Sequence, residues 1–275
     1  MRKIDNNIRY EEIEKKIHRV ILGLDISTTC IGASIVIDDG ESKPKIVKIT
    51  HVKPKLPKGI TGIEALFLRK QIFENDFIST LDEYGITDVI IEEPLLTSNN
   101  AVTAGTLIRF NGMISEAIYR KIGIIPHFIS SYDSRMFSFP ELCSLRKYNK
   151  KGKEYSFKHI KKAIKDSHLV LFGSYPYDID KKTIMMDMVN EMYPDIEWVK
   201  NKNGEIKKEN FDACDSLVCT LAYININRYG LEKPIIVDVT FTKENKQIYI
   251  EYVCSIWNKT FKKQLVITND SEKNE

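Results

Sequence analysis

Residues 20–37, VILGLDISTTCIGASIVI, decide the fold. The apolar run from Val20 to Ser27 is followed by a short polar turn and a second apolar run, Ile31 to Ile37, which is typical of two buried strands. Asp39-Gly40 then supplies hairpin turn chemistry ahead of a third strand, Lys45 to Val52. This stretch therefore predicts an antiparallel meander of three strands.

After the meander, helical and strand patterns alternate. The spacing of apolar residues predicts helices over Ile63–Tyr84, Ala101–Arg120, Asp180–Tyr193 and Asn210–Tyr229, and strands over Asp88–Glu92 and Ile124–Ile129. Strands that follow helices are expected to lie parallel to the first strand of the same sheet. The sequence therefore predicts an α/β fold, in which a mixed sheet is built from an antiparallel meander and then alternating α/β units and is flanked by helices.

Charge marks one segment as an insertion. Residues 141–165 hold nine Lys or Arg against two Glu. Three further strands, Ile235–Phe241, Gln247–Trp257 and Phe261–Ile267, follow the last helix. We therefore divide the chain into an N-terminal arm (1–19), a main domain (20–230) that carries a basic insertion (141–178), a small C-terminal β segment (231–268) and a polar tail (269–275).

Composition excludes several classes of protein. Of the 275 residues, 43% are hydrophobic and 29% are charged, as in ordinary globular domains. The five cysteines lack Cys-x-x-Cys spacing, which argues against a disulfide framework or a zinc knuckle. No apolar run approaches the roughly 18 residues of a membrane span, and the charged N-terminus does not resemble a signal peptide. We expect an intracellular protein that does not bind membranes.

Acidic residues stand at positions where a carboxylate is costly. Asp25 lies within an apolar strand, and Glu92 and Glu93 end another. Asp212 and Asp215 lie three residues apart near a helix start, so they share one helix face. Each has an ordinary explanation: Asp25 could bond to the adjacent turn, Glu92 and Glu93 could belong to a surface loop, and the helical pair could stabilise a helix N-terminus. Together they supply the hard oxygen ligands that Mg²⁺ or Mn²⁺ requires.

Four motifs resemble those of the RuvC-type Holliday-junction resolvases, which have the ribonuclease H-like fold. The stretch ILGLDISTTCIGASIV resembles their first hairpin, DVIIEEPLLTSNNAVTAGTLIRFNG their second acidic motif, KKTIMMDMVNEMYP the helix before the last, and FDACDSLVCTLAY the closing helix. The resemblance covers roughly residues 20–135 and 180–229. It places Asp25, Glu92, Asp212 and Asp215 on the catalytic acids, with Glu92 preferred to Glu93, and it places Lys182 on a lysine near the scissile phosphate.

The resemblance implies a metal-dependent, structure-selective DNA endonuclease that makes paired nicks with 5′-phosphate ends in a four-way junction. The four acids would hold two Mg²⁺ ions, for which Mn²⁺ could substitute, and symmetric cutting would require a homodimer. The basic insertion has no counterpart in the family. We expect it to bind the DNA backbone or unpaired bases, although charge runs are more usually solvated faces. The predicted DNA-binding residues are Arg146, Lys147, Lys150, Lys151, Lys153, Lys158, Lys161 and Lys162.

Three alternatives remain open at this point. A flap, fork or general branched-DNA nuclease of the same fold would use the same carboxylates. GLDISTT also resembles the first phosphate-binding hairpin of the actin, sugar-kinase and Hsp70 ATPases, but no second Asp-x-Gly hairpin and no Gly-Gly adenosine motif follow residue 123. A DNA-binding protein without catalysis is the third alternative, and the presence of all four acids argues against it.

Overall fold

The computed structural model describes residues 18–94, 100–149, 151–171 and 180–268. Four predictions lie outside these ranges: the N-terminal arm up to residue 17, Lys150, the end of the insertion (172–178) and the polar tail (269–275). Within the described part, none of the helices combines the length and the apolar character needed to cross a bilayer.

The described chain contains ten strands and six α-helices. The strands are β1 (Arg19–Ile26), β2 (Ile31–Asp38), β3 (Lys45–Val52), β4 (Asp88–Glu92), β5 (His127–Ile129), β6 (Cys143–Ser144), β7 (Val170–Leu171), β8 (Ile235–Glu244), β9 (Gln247–Ile256) and β10 (Lys259–Thr268). The helices are α1 (Gly62–Asp76), α2 (Ala101–Ile122), α3 (Ser131–Ser138), α4 (Phe157–Lys165), α5 (Lys181–Met192) and α6 (Glu209–Tyr229).

Five strands form the central sheet in the order β3-β2-β1-β4-β5. The first three strands are an antiparallel meander, and β4 and β5 lie parallel to β1. The parallel strands are joined by helical crossovers, as parallel strands require. The predicted α/β fold with a ribonuclease H-like mixed sheet is therefore confirmed, as are the three antiparallel C-terminal strands, which form a separate sheet in the order β10-β9-β8.

Side chains alternate between the two faces of the central sheet. On one face, Leu22 and Leu24 of β1 pack with α1 and α2, including Phe73 and Phe110. On the other face, Ile21 packs with α3, α5 and α6. Residues 21, 23 and 25 of β1 therefore point to the face that α6 covers.

Two glycines let α6 lie directly on the sheet. A Cβ atom at Gly23 would stand 1.9 Å from the Thr220 hydroxyl oxygen, and one at Gly32 would stand 1.9 Å from the carbonyl oxygen of Asp212. Real Cβ atoms do not come so close to other heavy atoms, so any larger residue at either position would push the helix outward. Gly32 also pairs with Asp25 in the β1–β2 ladder. The start of α6 is thus held against the sheet beside Asp25.

In the central fold, local boundaries differ most from the sequence prediction at two places. The helix predicted to run to Tyr84 ends at Asp76 and continues as a 3₁₀ helix over Ile78–Glu83. The strand predicted from Ile124 begins at His127, because α2 extends to Ile122 and is closed by Gly123 with φ 73°. Pro126, which has no N–H group to donate to a ladder, then precedes the strand.

The insertion contains structure that the sequence analysis did not predict. Two short strands, β6 and β7, pair antiparallel, and α4 lies between them with Ser156 as its N-cap. Ser130 likewise caps α3, its side chain accepting from the N–H of Asp133 at 3.1 Å. Both helices begin with a capping serine, a signal that predicts helix starts and that the sequence analysis did not use.

The insertion and the C-terminal sheet share one hydrophobic cluster. Leu145, Ile160 and Leu169 of the insertion are buried against the β9–β10 side chains Ile248, Ile250, Tyr252, Leu265 and Ile267. The Tyr252 hydroxyl accepts a hydrogen bond from the N–H of Leu145 at 2.9 Å. At the other edge, Glu154 accepts from the Thr268 N–H at 2.6 Å. Two segments that are distant in sequence therefore fold against each other.

Candidate active site

The acidic residues of three elements point to one face of the sheet. Asp25 extends from β1 on the side of Gly23, which contacts α6. In β4, Val89 and Ile91 face α1 and α2, so Asp88, Ile90 and Glu92 face α6. The Tyr223 hydroxyl of α6 donates to Asp88 at 2.8 Å and fixes this register. Glu92 therefore shares a face with Asp25.

Helix α6 brings its own two acids to the same place. Asp212 and Asp215 lie in its first two turns, and the Asp215 side chain is 6% exposed and that of Asp212 19% exposed. Further along the helix, the Cys219 thiol donates to a Glu92 carboxylate oxygen at 3.7 Å. Residues 212, 215, 219 and 223 are spaced by three or four positions and therefore lie on one side of the helix.

Lys182 joins the cluster from α5. Its backbone N–H donates to the Asp180 N-cap at 3.2 Å, which places it in the first turn of the helix. Its ammonium nitrogen lies 3.3 Å from Asp212 Oδ1 and 3.3 Å from Asp215 Oδ2. The sequence-predicted residues Asp25, Glu92, Lys182, Asp212 and Asp215 thus come together from four elements.

Burial and mutual repulsion raise the pKa values of three carboxyl groups, those of Asp25, Glu92 and Asp215. The pKa of Asp25 lies well above its ordinary value, first because of burial and then because of the charges of Glu92, Asp215 and Asp212. Burial and Asp215 raise the pKa of Glu92 to about 7. The pKa of Asp215 is also raised, since burial outweighs the opposing charges of Lys182 and Arg135. The cluster carries more negative charge than its surroundings compensate.

The pKa of Lys182 moves upward although burial lowers it, because the charges of Asp215, Asp212 and Asp25 act in the opposite direction. Both partners of the Lys182–Asp215 ion pair therefore have raised pKa values. For Asp215, the hydration that the carboxylate loses on burial outweighs its attraction to Lys182, so its pKa rises despite the ion pair. Lys182 offsets part of the acidic charge and leaves the rest uncompensated.

Neighbouring residues Glu92 and Glu93 differ in their surroundings. Glu92 is half-buried beside Cys219, whereas Glu93 is exposed and donates its backbone N–H to the Ile129 carbonyl at 2.8 Å. The alternation along β4 therefore directs Glu92, and not Glu93, toward Asp215. This placement agrees with the preference for Glu92 that the motif resemblance implies.

Sequence reasoning missed two residues at this site. Cys219 contacts Glu92, and Arg135 of α3 lies close enough for its charge to lower the pKa values of Glu92 and Asp215. Cys219 is one turn beyond Asp215 on the same face, so helical spacing was a sufficient signal for it. Arg135 had no such signal, because α3 itself was not predicted.

The donor set fits a hard divalent cation. Carboxylate oxygens are the ligands that Mg²⁺ prefers, and the uncompensated acidic charge of Asp25, Glu92 and Asp215 is what such a cation would neutralise. The side chains are not already closed around one point: across residues 18–94, 100–149, 151–171 and 180–268, no three Asp, Glu, His or Cys side chains form a ready metal cage. The Lys182 ammonium contacts Asp212 and Asp215 instead.

The described basic residues of the insertion lie on two structures. Lys147, Lys151 and Lys153 belong to a hairpin in which Tyr148 bridges to Glu154. Lys158, Lys161 and Lys162 project from α4 and are exposed. Arg146 is half-buried in the segment before the hairpin. The predicted set is therefore distributed over the hairpin and the helix, and Lys150 lies outside the described residues.

The raised pKa values make the stability of the metal-free protein dependent on pH. Between pH 4.5, the ordinary pKa of Glu92, and about 7, the folded state binds more protons than the unfolded state. Stability is therefore greatest below this window and falls as pH rises through it, by up to about 1.4 kcal/mol per pH unit for each such proton. We expect urea denaturation in EDTA to show this decline, and Mg²⁺ to raise stability more at pH 8 than at pH 5.

Glu92→Gln should flatten the decline, and Glu93→Gln should leave it unchanged. Stability that is constant across this window, or a decline of the same size in Glu92→Gln, would contradict the assignment of the raised pKa to Glu92.

Comparison with known proteins gives a likeness of fold. No family model matches the chain, and no curated protein matches it in sequence. Among solved structures, it is similar to Thermus thermophilus RuvC in complex with a Holliday junction substrate, with 15% identity, a TM-score of 0.49, and coverage of 79% of this chain and 100% of that chain. It is also similar to the yeast mitochondrial Holliday junction resolvase, with 12% identity, a TM-score of 0.43, and coverage of 77% of this chain and 82% of that chain. At such identities the likeness concerns the fold, which the strand order establishes independently.

Proposed function

We propose that this protein is a metal-dependent, structure-selective DNA endonuclease of the RuvC-type resolvases, acting on four-way junctions. The observation that carries the proposal is the convergence of Asp25, Glu92 and Asp215 from β1, β4 and α6, with an acidic charge that Lys182 only partly offsets. A purely structural ion-pair network would pair its carboxylates with an equal number of cations. This cluster instead has the charge and the oxygen donors of a site for divalent cations.

Asp25, Glu92, Asp212 and Asp215 would hold two Mg²⁺ ions, or Mn²⁺ in their place. When bound, the ions would supply a water of lowered pKa and Lewis-acid stabilisation of the leaving 3′ oxygen, giving 5′-phosphate ends. Lys182 would exchange a carboxylate contact for an oxygen of the scissile phosphate and neutralise charge there. Arg135, whose charge lowers the pKa values of Glu92 and Asp215, would help to keep these two acids ionised.

Cleavage of four-way, three-way, flap and linear duplex DNA, side by side with Mg²⁺ or Mn²⁺, tests the function. We expect paired nicks in the four-way junction, little cleavage of linear duplex, and products that DNA ligase reseals because they carry 5′-phosphates. Preference for the flap or the three-way substrate would make the protein a branched-DNA nuclease of another selectivity. No cleavage of any substrate, combined with thermal stabilisation by ATP and Mg²⁺, would favour the ATPase alternative.

Paired nicking requires two active sites, and we propose an isologous homodimer. Sedimentation at micromolar concentration should give twice the 31.8 kDa chain mass. A monomer mass together with full paired nicking would contradict the dimer without affecting the carboxylate site.

The exposed hairpin of the insertion is proposed to contact the DNA arms. The Asn149 side chain accepts from the N–H groups of Lys151 and Lys153 at 2.9 and 3.0 Å, so the turn presents both lysines outward. Replacing both with Gln should reduce the slope of log K against log salt by about 0.9 for each phosphate that the variant no longer neutralises. The single-turnover cleavage rate at saturating protein should remain nearly unchanged.

Lys45→Gln is the control for this change. Lys45 is exposed on β3 and pairs with Ile37, at the end of the sheet opposite to Asp25. If the slope of log K against log salt is unchanged in the Lys151/Lys153 variant, the hairpin does not contact DNA phosphates and is a solvated loop. A collapsed cleavage rate at saturation would place the hairpin in the active site instead.

A further inference from the structure

A cavity of about 370 Å³ opens within the insertion, between α4 and the segments before and after it. Its volume falls in the range of small-ligand sites. The polar residues that line it are Arg146, Tyr155, His159, Lys162, Asp166 and His168. None of them belongs to the carboxylate cluster, and the sequence predicts for Arg146 and Lys162 only a general contact with DNA.

Two rings form one wall of this cavity. Tyr155 and His159 stack with their centroids 5.5 Å apart and their planes 26° from parallel. His159 is exposed, and Tyr155 is half-buried against the hydrophobic cluster that the insertion shares with the C-terminal sheet. Packing against this cluster fixes the position of Tyr155, and both rings line the cavity. Such a platform suits the flat face of a nucleobase.

The remaining lining is suited to an anion. Arg146, Lys162, His159 and His168 can donate to phosphate oxygens, against one carboxylate, Asp166. The lining therefore carries more cationic than anionic groups.

We propose that this cavity binds a single unpaired nucleotide of a DNA strand, with its base on the Tyr155–His159 ring pair and its phosphate between Arg146 and Lys162. The proposal rests on the proposed nuclease function, since it concerns how a branched substrate is gripped. A base freed from pairing at a branch point can enter the cavity, whereas a base within linear duplex first has to be unpaired and unstacked. The cavity would thus contribute to selectivity for branched DNA.

Binding of oligothymidylate of about ten nucleotides to the full chain in EDTA tests the cavity without any cleavage. An abasic strand of the same length provides phosphates without bases. We expect Tyr155→Leu to weaken binding of oligothymidylate about tenfold and to leave binding of the abasic strand unchanged. Lys162→Gln should weaken binding of both strands and reduce the salt slope by about 0.7, the value for one phosphate contact with a single strand.

Lys165→Gln is the matched control, because Lys165 is exposed on the same helix but does not line the cavity. His159→Leu, on the exposed side of the ring pair, should reproduce the effect of Tyr155→Leu and serves if the latter does not fold. The proposal would be overturned if Lys162→Gln and His159→Leu each bound oligothymidylate and the abasic strand with the same affinity as Lys165→Gln. Junction cleavage by the unaltered protein would survive that result, so failure of the cavity and failure of the nuclease function are distinguishable.

Discussion

Asp25→Asn, Glu92→Gln and Asp215→Asn are each expected to reduce junction cleavage by at least about a thousandfold, while folding and junction binding persist. Each substitution keeps the size of the side chain and removes one negative charge from the proposed metal site. The electrostatic contribution of such a site is several kcal/mol, and about 1.4 kcal/mol corresponds to a factor of ten in rate. Single-turnover cleavage at saturating protein measures the rate, and anisotropy in EDTA measures binding.

Glu93→Gln is the matched control, since it makes the same change one residue away on the exposed side of the strand. We expect its cleavage rate to stay within a few-fold of the unaltered protein's rate. Normal cleavage by Glu92→Gln together with loss in Glu93→Gln would show that the carboxylate at the end of β4 is assigned one residue too early.

Gly32→Ala should have the second-largest effect, although residue 32 carries no functional group. The added methyl would stand 1.9 Å from the Asp212 carbonyl oxygen and 2.6 Å from the Ala213 nitrogen, both backbone atoms of α6. The helix start has to move away, which should cost about 1–3 kcal/mol or more. Because Asp212 and Asp215 move with it, cleavage should fall at least about tenfold even at temperatures where the variant remains folded.

Gly112→Ala makes the same change on the exposed side of α2, where no atom stands within 4 Å of the new methyl. This control should be unchanged or up to about 1 kcal/mol more stable, since alanine favours helix. Thermal unfolding and single-turnover cleavage of both variants provide the comparison. A Gly32→Ala protein with normal melting and normal cleavage would mean that α6 does not need its close approach to the sheet.

The sequence was sufficient to predict features that depend on local periodicity. The apolar run VILGLDIS placed Asp25 within a buried strand, and the three-residue spacing of Asp212 and Asp215 placed them on one face of a helix. The order of strands and helices along the chain was sufficient to predict a mixed sheet with an antiparallel meander followed by parallel strands. Which sheet face α6 covers, and hence which of Glu92 and Glu93 approaches Asp215, depends on tertiary packing and was supplied by resemblance alone.

Long-range contacts were beyond prediction for a physical reason. The collision that forbids a side chain at Gly32 involves a backbone atom 180 residues away, and nothing in the neighbouring sequence signals it. Arg135 escaped notice because its helix has only eight residues, too few for a periodic pattern to be recognised. The pairing of the insertion with the C-terminal strands was likewise invisible, since each segment read separately looks like an independent appendage. The division of the chain into domains stays a prediction.

The shared cluster of the insertion and the C-terminal sheet has a consequence for the order of folding during synthesis. The hydrogen bond between Leu145 and Tyr252 joins residues 107 positions apart, so Ile160 and its neighbours have no partner strands until β9 and β10 have left the ribosome. The central sheet, complete by the end of α6, can form earlier. A nascent chain would therefore assemble its carboxylate cluster before the insertion is packed, and the interval is the time taken to translate β8, β9 and β10.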